Sequence, residues 1–145
     1  MTSLRENLLD ILLGKLRRLN VPGFEVARNE PWPDDLPSKG LLILRDGDPG
    51  EPEVLLSPLS YSYEHTAELE VFVQAGTASE RDNAFDHMLE QIAGVLADDR
   101  TLGGKCDWVE ARAPEPADLP IVGASGIKAA VIPVILHYTT SDPLA

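Results

Sequence analysis

A chain of 145 residues, 43% hydrophobic and 25% charged, has the size and composition of one globular domain, too apolar for disorder and too mixed for a membrane class. Its formal charge of −12, from 24 acidic and 12 basic residues, argues against nucleic-acid binding, which needs clustered Lys and Arg against phosphates. A lone cysteine, Cys106, cannot close an internal disulfide and suits a reducing compartment, so cytoplasmic synthesis is expected.

In chain order, the first element is a helix over residues 3–19, opened by the capping box Ser3-x-x-Glu6 and stopped before Pro22-Gly23. Asp10, Lys15, Arg17 and Arg18 interrupt its leucines, so neither a secretory leader nor a membrane span is expected. Leu4, Leu8, Leu9, Ile11, Leu12, Leu13, Leu16 and Leu19 sweep about half the circumference, more than one sheet face needs. Either the helix is sunk in its own core, or one edge of the arc meets another subunit.

Residues 24–27 read as extended, and Pro31-Trp32-Pro33-Asp34-Asp35-Leu36-Pro37 as a stiff connector. Leu41 to Arg45 is a short strand, and Asp46-Gly47-Asp48-Pro49-Gly50-Glu51-Pro52 a long turn. From Val54 to Val73 the chain alternates, with Tyr61, Tyr63, His65, Ala67, Leu69, Val71 and Val73 on one face and a largely polar set on the other. Pro58 breaks its beginning, and with the Leu41 strand it predicts an antiparallel hairpin.

Ser79 is the expected N-cap of a second helix whose apolar half-circle holds Ala84, Phe85, Met88, Leu89, Ile92, Ala93, Val95 and Leu96. Asp82, Asp86 and Glu90 line one flank, a solvated face or one that meets a basic partner. After Gly103-Gly104, residues 105–112 read as a strand, and Pro114 to Pro120 as a second stiff connector. Ile127 to Tyr138 is almost wholly apolar, a strand covered on both faces, yet Pro133 belongs at an edge or bulge. The strand therefore bends there or borders a subunit interface.

Chemistry-bearing motifs are sparse. His65, His87 and His137 lie on separate elements with no zinc spacing. The Asp46-x-Asp48-x-Gly50-Glu51 run lacks the sixth-position glycine and twelfth-position glutamate of a calcium loop. Gly123-Ala124-Ser125-Gly126 is one residue short of a nucleophile elbow, and Cys106, alternating with Trp108, reads as buried in the sheet. No phosphate-binding glycine motif occurs, and Asp34-Asp35 and Asp98-Asp99 read as solubilising charges. The expectation is no enzyme, no catalytic or metal-binding residue and no cofactor.

The predicted fold class is α+β: one domain over 1–145, a mixed, largely antiparallel sheet with two flanking helices in the order α-β-β-β-α-β-β, and an exposed tail from about 140 to 145. That order, the leucine-rich first helix, the Thr101-Leu102-Gly103-Gly104 connector, the closing Gly126 to Thr140 segment and the short Ser141 to Ala145 tail resemble tail terminator (tail completion) proteins of long-tailed phages and prophage-like elements. The resemblance spans nearly the whole chain but rests on apolar patterns, so it carries over no reactive residue.

What it implies is a homohexameric ring that caps the tail tube, ends its polymerisation and joins it to a head-side connector or stopper protein. The implied partners are the chain itself, the tube protein and that connector, with no sequence-specific nucleic acid and no membrane. The implied location is the host cytoplasm during assembly, then the virion or a tail-like particle. A ring needs two different complementary patches per subunit, and the candidate interface residues are Asp46, Asp48, Glu51, Asp82, Asp86, Glu90, Pro133, His137 and Tyr138. The alternatives are a head-tail neck or stopper component and a small acyl-transfer or hydrolytic enzyme using Cys106 or Ser125.

Overall fold

The computed structural model describes residues 2–19, 21–32, 37, 39–117 and 126–145. Helix α1 (Leu4–Arg17) begins where Ser3 Oγ accepts from the Glu6 N–H at 3.2 Å. The Glu6 side chain does not reach back as the other half of a capping box, because Arg28 takes its carboxylate at 2.7 and 2.8 Å. Helix α2 (Ala78–Asp98) is capped by Thr77 instead of Ser79: the Thr77 hydroxyl accepts from the Glu80 N–H, and Ser79 lies inside the first turn.

The strands are β1 (Phe24–Arg28), β2 (Gly40–Asp48), β3 (Glu53–Leu56), β4 (Leu59–Gln74), β5 (Trp108–Ala111), β6 (Glu115–Pro116) and β7 (Ile127–Thr140). They form one sheet in the order β1-β2-β4-β7-β5, with β3 on β4 and β6 on β7. Only β1 and β2 run parallel. This is the expected α+β class with its mixed, largely antiparallel sheet and two helices. The two strands beyond the expected order are the short β3, cut from the long alternation by the Ser57-Pro58 turn, and β6, which lies inside the presumed proline connector.

Both helices pack on the same face. Leu8, Leu9, Leu12, Leu13 and Leu16 of α1 and Phe85, Met88, Ile92 and Leu96 of α2 join Leu42, Leu44, Leu69, Val71, Ile132, Val134 and Leu136 in one buried core. Those five α1 leucines of the wide arc are buried by this chain, while Leu4, Ile11 and Leu19 at its edges stay partly exposed. On the other face Leu41, Ile43, Phe72 and Ala129 make a smaller cluster, with the Trp32 ring edge-on to Phe72. Phe72 is thus the apolar end of the face that otherwise reads as polar.

β7 is internal, not an edge strand, pairing β4 over its whole length from Tyr61↔Thr140 to Gln74↔Ile127. Pro133 is accommodated by strand geometry. Its carbonyl accepts from the Arg112 N–H at 2.8 Å on the β5 side, and a strand residue's N–H and C=O point the same way. The missing donor therefore faces the gap between β5, which ends opposite Val134, and β6, which starts opposite Val131. The β4 ladder loses nothing.

Cys106 does not lie within a strand: it sits in the turn before β5, buried, with its sulfur 3.8 Å from the Arg100 carbonyl, while Trp108 is exposed. That turn is shaped by Leu102, Gly103 and Gly104, all at positive φ, with Leu102 driven into the core. Asp99 is not merely solubilising, since its carboxylate accepts from the N–H groups of Thr101 and Gly103 and pairs with Lys15 at 3.2 Å. Asp34, Asp35 and Ser125 lie outside the described residues, as does most of the Pro31 to Pro37 connector.

Candidate interaction site

β4 has 16 residues and so spans about 53 Å, whereas α1 with 14 and α2 with 21 are about 21 and 32 Å long. Neither helix covers a strand of that length. The helix-side stripe of β4 runs Val73, Val71, Leu69, Ala67, His65, Tyr63 and on through Tyr61 to Leu59, where it leaves the helices behind. At this end β3 pairs with β4 so that Val54 faces Tyr61 and Leu56 faces Leu59. Val54, Leu56, Leu59 and Tyr61 thus share one apolar face that extends the core face into solvent. Val54 and Leu59 are each 49% exposed and Leu56 81%.

The hairpin's base is tied to β1 and α1 by hydrogen bonds and ion pairs. Gly47, at φ +70°, forms a bulge in β2 between Arg45 and Asp48, and a Cβ there would run into the Thr66 carbonyl. The bulge turns Asp46 toward β1, where its carboxylate accepts from Arg28 Nε and Asn29 Nδ2, each at 2.9 Å. Arg28 also pairs with Glu6 and, at 3.1 Å, with Asp10. The Arg28 hydrogen bonds hold the carboxyl groups of Glu6 and Asp46 below the usual carboxylate range.

Beneath them His65 is buried, its Nε2 at 2.6 Å from the Asp46 carbonyl and its Nδ1 at 2.9 Å from the Tyr138 hydroxyl. The carbonyl can only accept, so Nε2 carries the proton and Nδ1 accepts from Tyr138. Burial lowers the His65 pKa and pushes the Tyr138 phenol up to about 12. Both stay neutral. Burial likewise pushes the Cys106 thiol up to about 11, which leaves little thiolate at neutral pH to act as a nucleophile.

The nine expected interface residues fall in three places. Asp46, Asp48 and Glu51 stand at the hairpin base, where Asp48 accepts from the Gly50 N–H and Asp46 is tied to Arg28. Asp82 pairs with Lys128 at 2.9 Å, while Asp86 and Glu90 are exposed on α2 with no ion pair among the described residues. Pro133 and His137 lie on the sheet face away from the helices, where His137 is 3.5 Å from Glu110.

Tyr138 points the opposite way and is only 3% exposed, so it belongs to the core and not to an interface. The apolar hairpin residues Val54, Leu56 and Leu59 were not among the candidates. A signal existed: three consecutive apolar residues, Val54-Leu55-Leu56, set between Pro52 and Pro58 in an acidic stretch.

No group of three or more His, Cys, Asp or Glu side chains among the described residues is placed to hold a metal ion. No described helix is long and apolar enough to cross a membrane. No family model matches the chain, and neither does any curated protein.

Proposed function

We propose that this chain is a structural assembly protein, not an enzyme: a tail-terminator-like subunit that associates with copies of itself into a ring, caps a tail tube and meets a head-side connector. One observation carries the assembly reading. The core face of the sheet runs out past its helices onto an apolar hairpin that no described residue covers. A cluster of exposed large apolar side chains rimmed by acidic residues is the usual mark of a protein contact surface. The choice of the tube as target comes from the resemblance stated above, and the buried, protonated Cys106 favours it over a thiol enzyme.

The test is tube assembly in the presence of the purified chain, with tube protein from a tail gene cluster that also encodes the chain. Tubes should stop at short, uniform lengths with extra density at one end. Tubes that lengthen as they do without the chain, or a gene neighbourhood empty of tail components, would overturn the assignment.

A further inference from the structure

With 24 acidic and 12 basic residues, two copies of this chain repel on average, so a self-contact that sets the minority cations of one copy against an acidic stretch of the other is favoured. The cations are not spread evenly. Lys15, Arg17 and Arg18 close α1, and Lys105 stands on the loop beside them. Between that last turn and the loop runs a groove of about 440 Å³, with Ile11, Gly14 and Leu102 in its wall and Lys15, Arg18 and Lys105 at its rim.

Asp99 also lines the groove, but it is engaged by Lys15 and by backbone N–H groups, and Asp10 is paired with Arg28. Among the described residues Arg18 and Lys105 form no ion pair. Gly14 weakens the last turn of α1 relative to alanine, yet nothing lies within 4 Å of where its Cβ would be. No described residue packs against that glycine.

The hairpin offers apolar surface and charge of the opposite sign. Val54, Leu56 and Leu59 form its apolar face and exposed Glu51 stands on the loop that leads into it, while Glu53 alternates onto the opposite face. Two hairpins meeting each other would bring their Glu51 carboxylates together, which disfavours a symmetric hairpin-to-hairpin contact. We propose that the β3–β4 hairpin of one copy seats in the α1–Lys105 groove of the next, apolar face toward Ile11 and Gly14, with Glu51 against Arg18 and Lys105. Such a contact joins two different patches of the same chain and closes into a ring when the rotation allows. This inference rests on the assembly reading above and names its subunit contact.

The experiment is disulfide trapping with the full chain. Leu56→Cys is mixed with Ile11→Cys, which adds no bulk to the groove wall, and oxidised gently, alongside a control mixture of Leu56→Cys with Ser79→Cys, exposed at the far end of α2. Buried Cys106 stays in every arm. The cross-linked dimer should form about tenfold faster in the first mixture, because docking raises the local thiol concentration. Lys105→Glu in the Ile11→Cys partner should remove that advantage, and Glu51→Lys in the Leu56→Cys partner should restore it.

Sedimentation of the unmodified chain separates the failures. Equal trapping rates in a chain that still self-associates overturn this contact and leave the assembly reading standing. Equal rates in a chain that stays monomeric, alone and on tubes, overturn both.

Discussion

Arg28 is the residue on which the hairpin's base depends. Its guanidinium, 15% exposed, holds Glu6, Asp10 and Asp46 from two other elements, α1 and β2. Removing one partner of a fully buried pair costs roughly 3–5 kcal/mol, and of an exposed pair under about 1. The three carboxylates are about half exposed, so Arg28→Met should lower stability by about 2 kcal/mol in urea unfolding at pH 7.

The pH dependence follows from the same contacts. Glu6 and Asp46 have folded pKa values below their unfolded ones, so their contribution is present above about pH 4 and lost as pH falls through the folded values. His65 acts in the same direction by another route: burial keeps it neutral, so stability is lost as pH falls below about 6.5, where the unfolded chain gains a proton first. Arg28→Met should flatten the lower window and His65→Gln the upper one. A variant profile parallel to the wild type would contradict the assignment. None of this pairing was legible in the sequence, because Glu6, Arg28 and Asp46 come together only through the β1–β2 register.

Elements were far more legible than their partners. Helical spacing located α1 and α2 and period-two alternation located β4, because burial on one face forces those periods, while an apolar run located β7, buried on both faces. Thr77 and Ser79 are both competent caps, and the choice was made by the chain's exit from β4, which sequence spacing does not carry. The internal position of β7 was hidden by Pro133, since its tolerance depends on which side its missing N–H faces.

Gly14 and Gly94 are helix positions whose residue type no described neighbour explains: each lies inside a helix with open space where a Cβ would stand. Alanine at either should stabilise the isolated chain by up to about 1 kcal/mol. For a domain of this size that is a rise of roughly 2–4 °C in Tm. A fall on thermal scanning would mean that an intramolecular contact needs the glycine. Gly14→Ala should at the same time weaken self-association, because the methyl group stands in the proposed groove.

At the scale of the molecule, the length mismatch between β4 and its helices separates the side chains that hold the fold from those of the proposed contact. Everything from Tyr63 to Val73 on the helix side is buried by α1, α2 and β7, whereas Val54, Leu56 and Leu59 have no such cover. The sequence showed the alternation but not where cover ends, because that depends on how two helices of fixed length lie across a longer strand.

The double variant Val54→Asp with Leu56→Asp tests the separation. Substitutions of exposed side chains usually change stability by less than about 0.5 kcal/mol, and β3 is joined to the sheet by only four residue pairs at its edge. The urea midpoint should therefore stay near that of the wild type, and added charge on an unpaired edge should reduce non-specific aggregation. Self-association and tube capping should both disappear, since carboxylates would have to enter an apolar contact already bordered by Glu51. A loss of stability above about 2 kcal/mol would place the hairpin in the folding core. Capping that survives in a stable variant would place the subunit contact elsewhere on the surface.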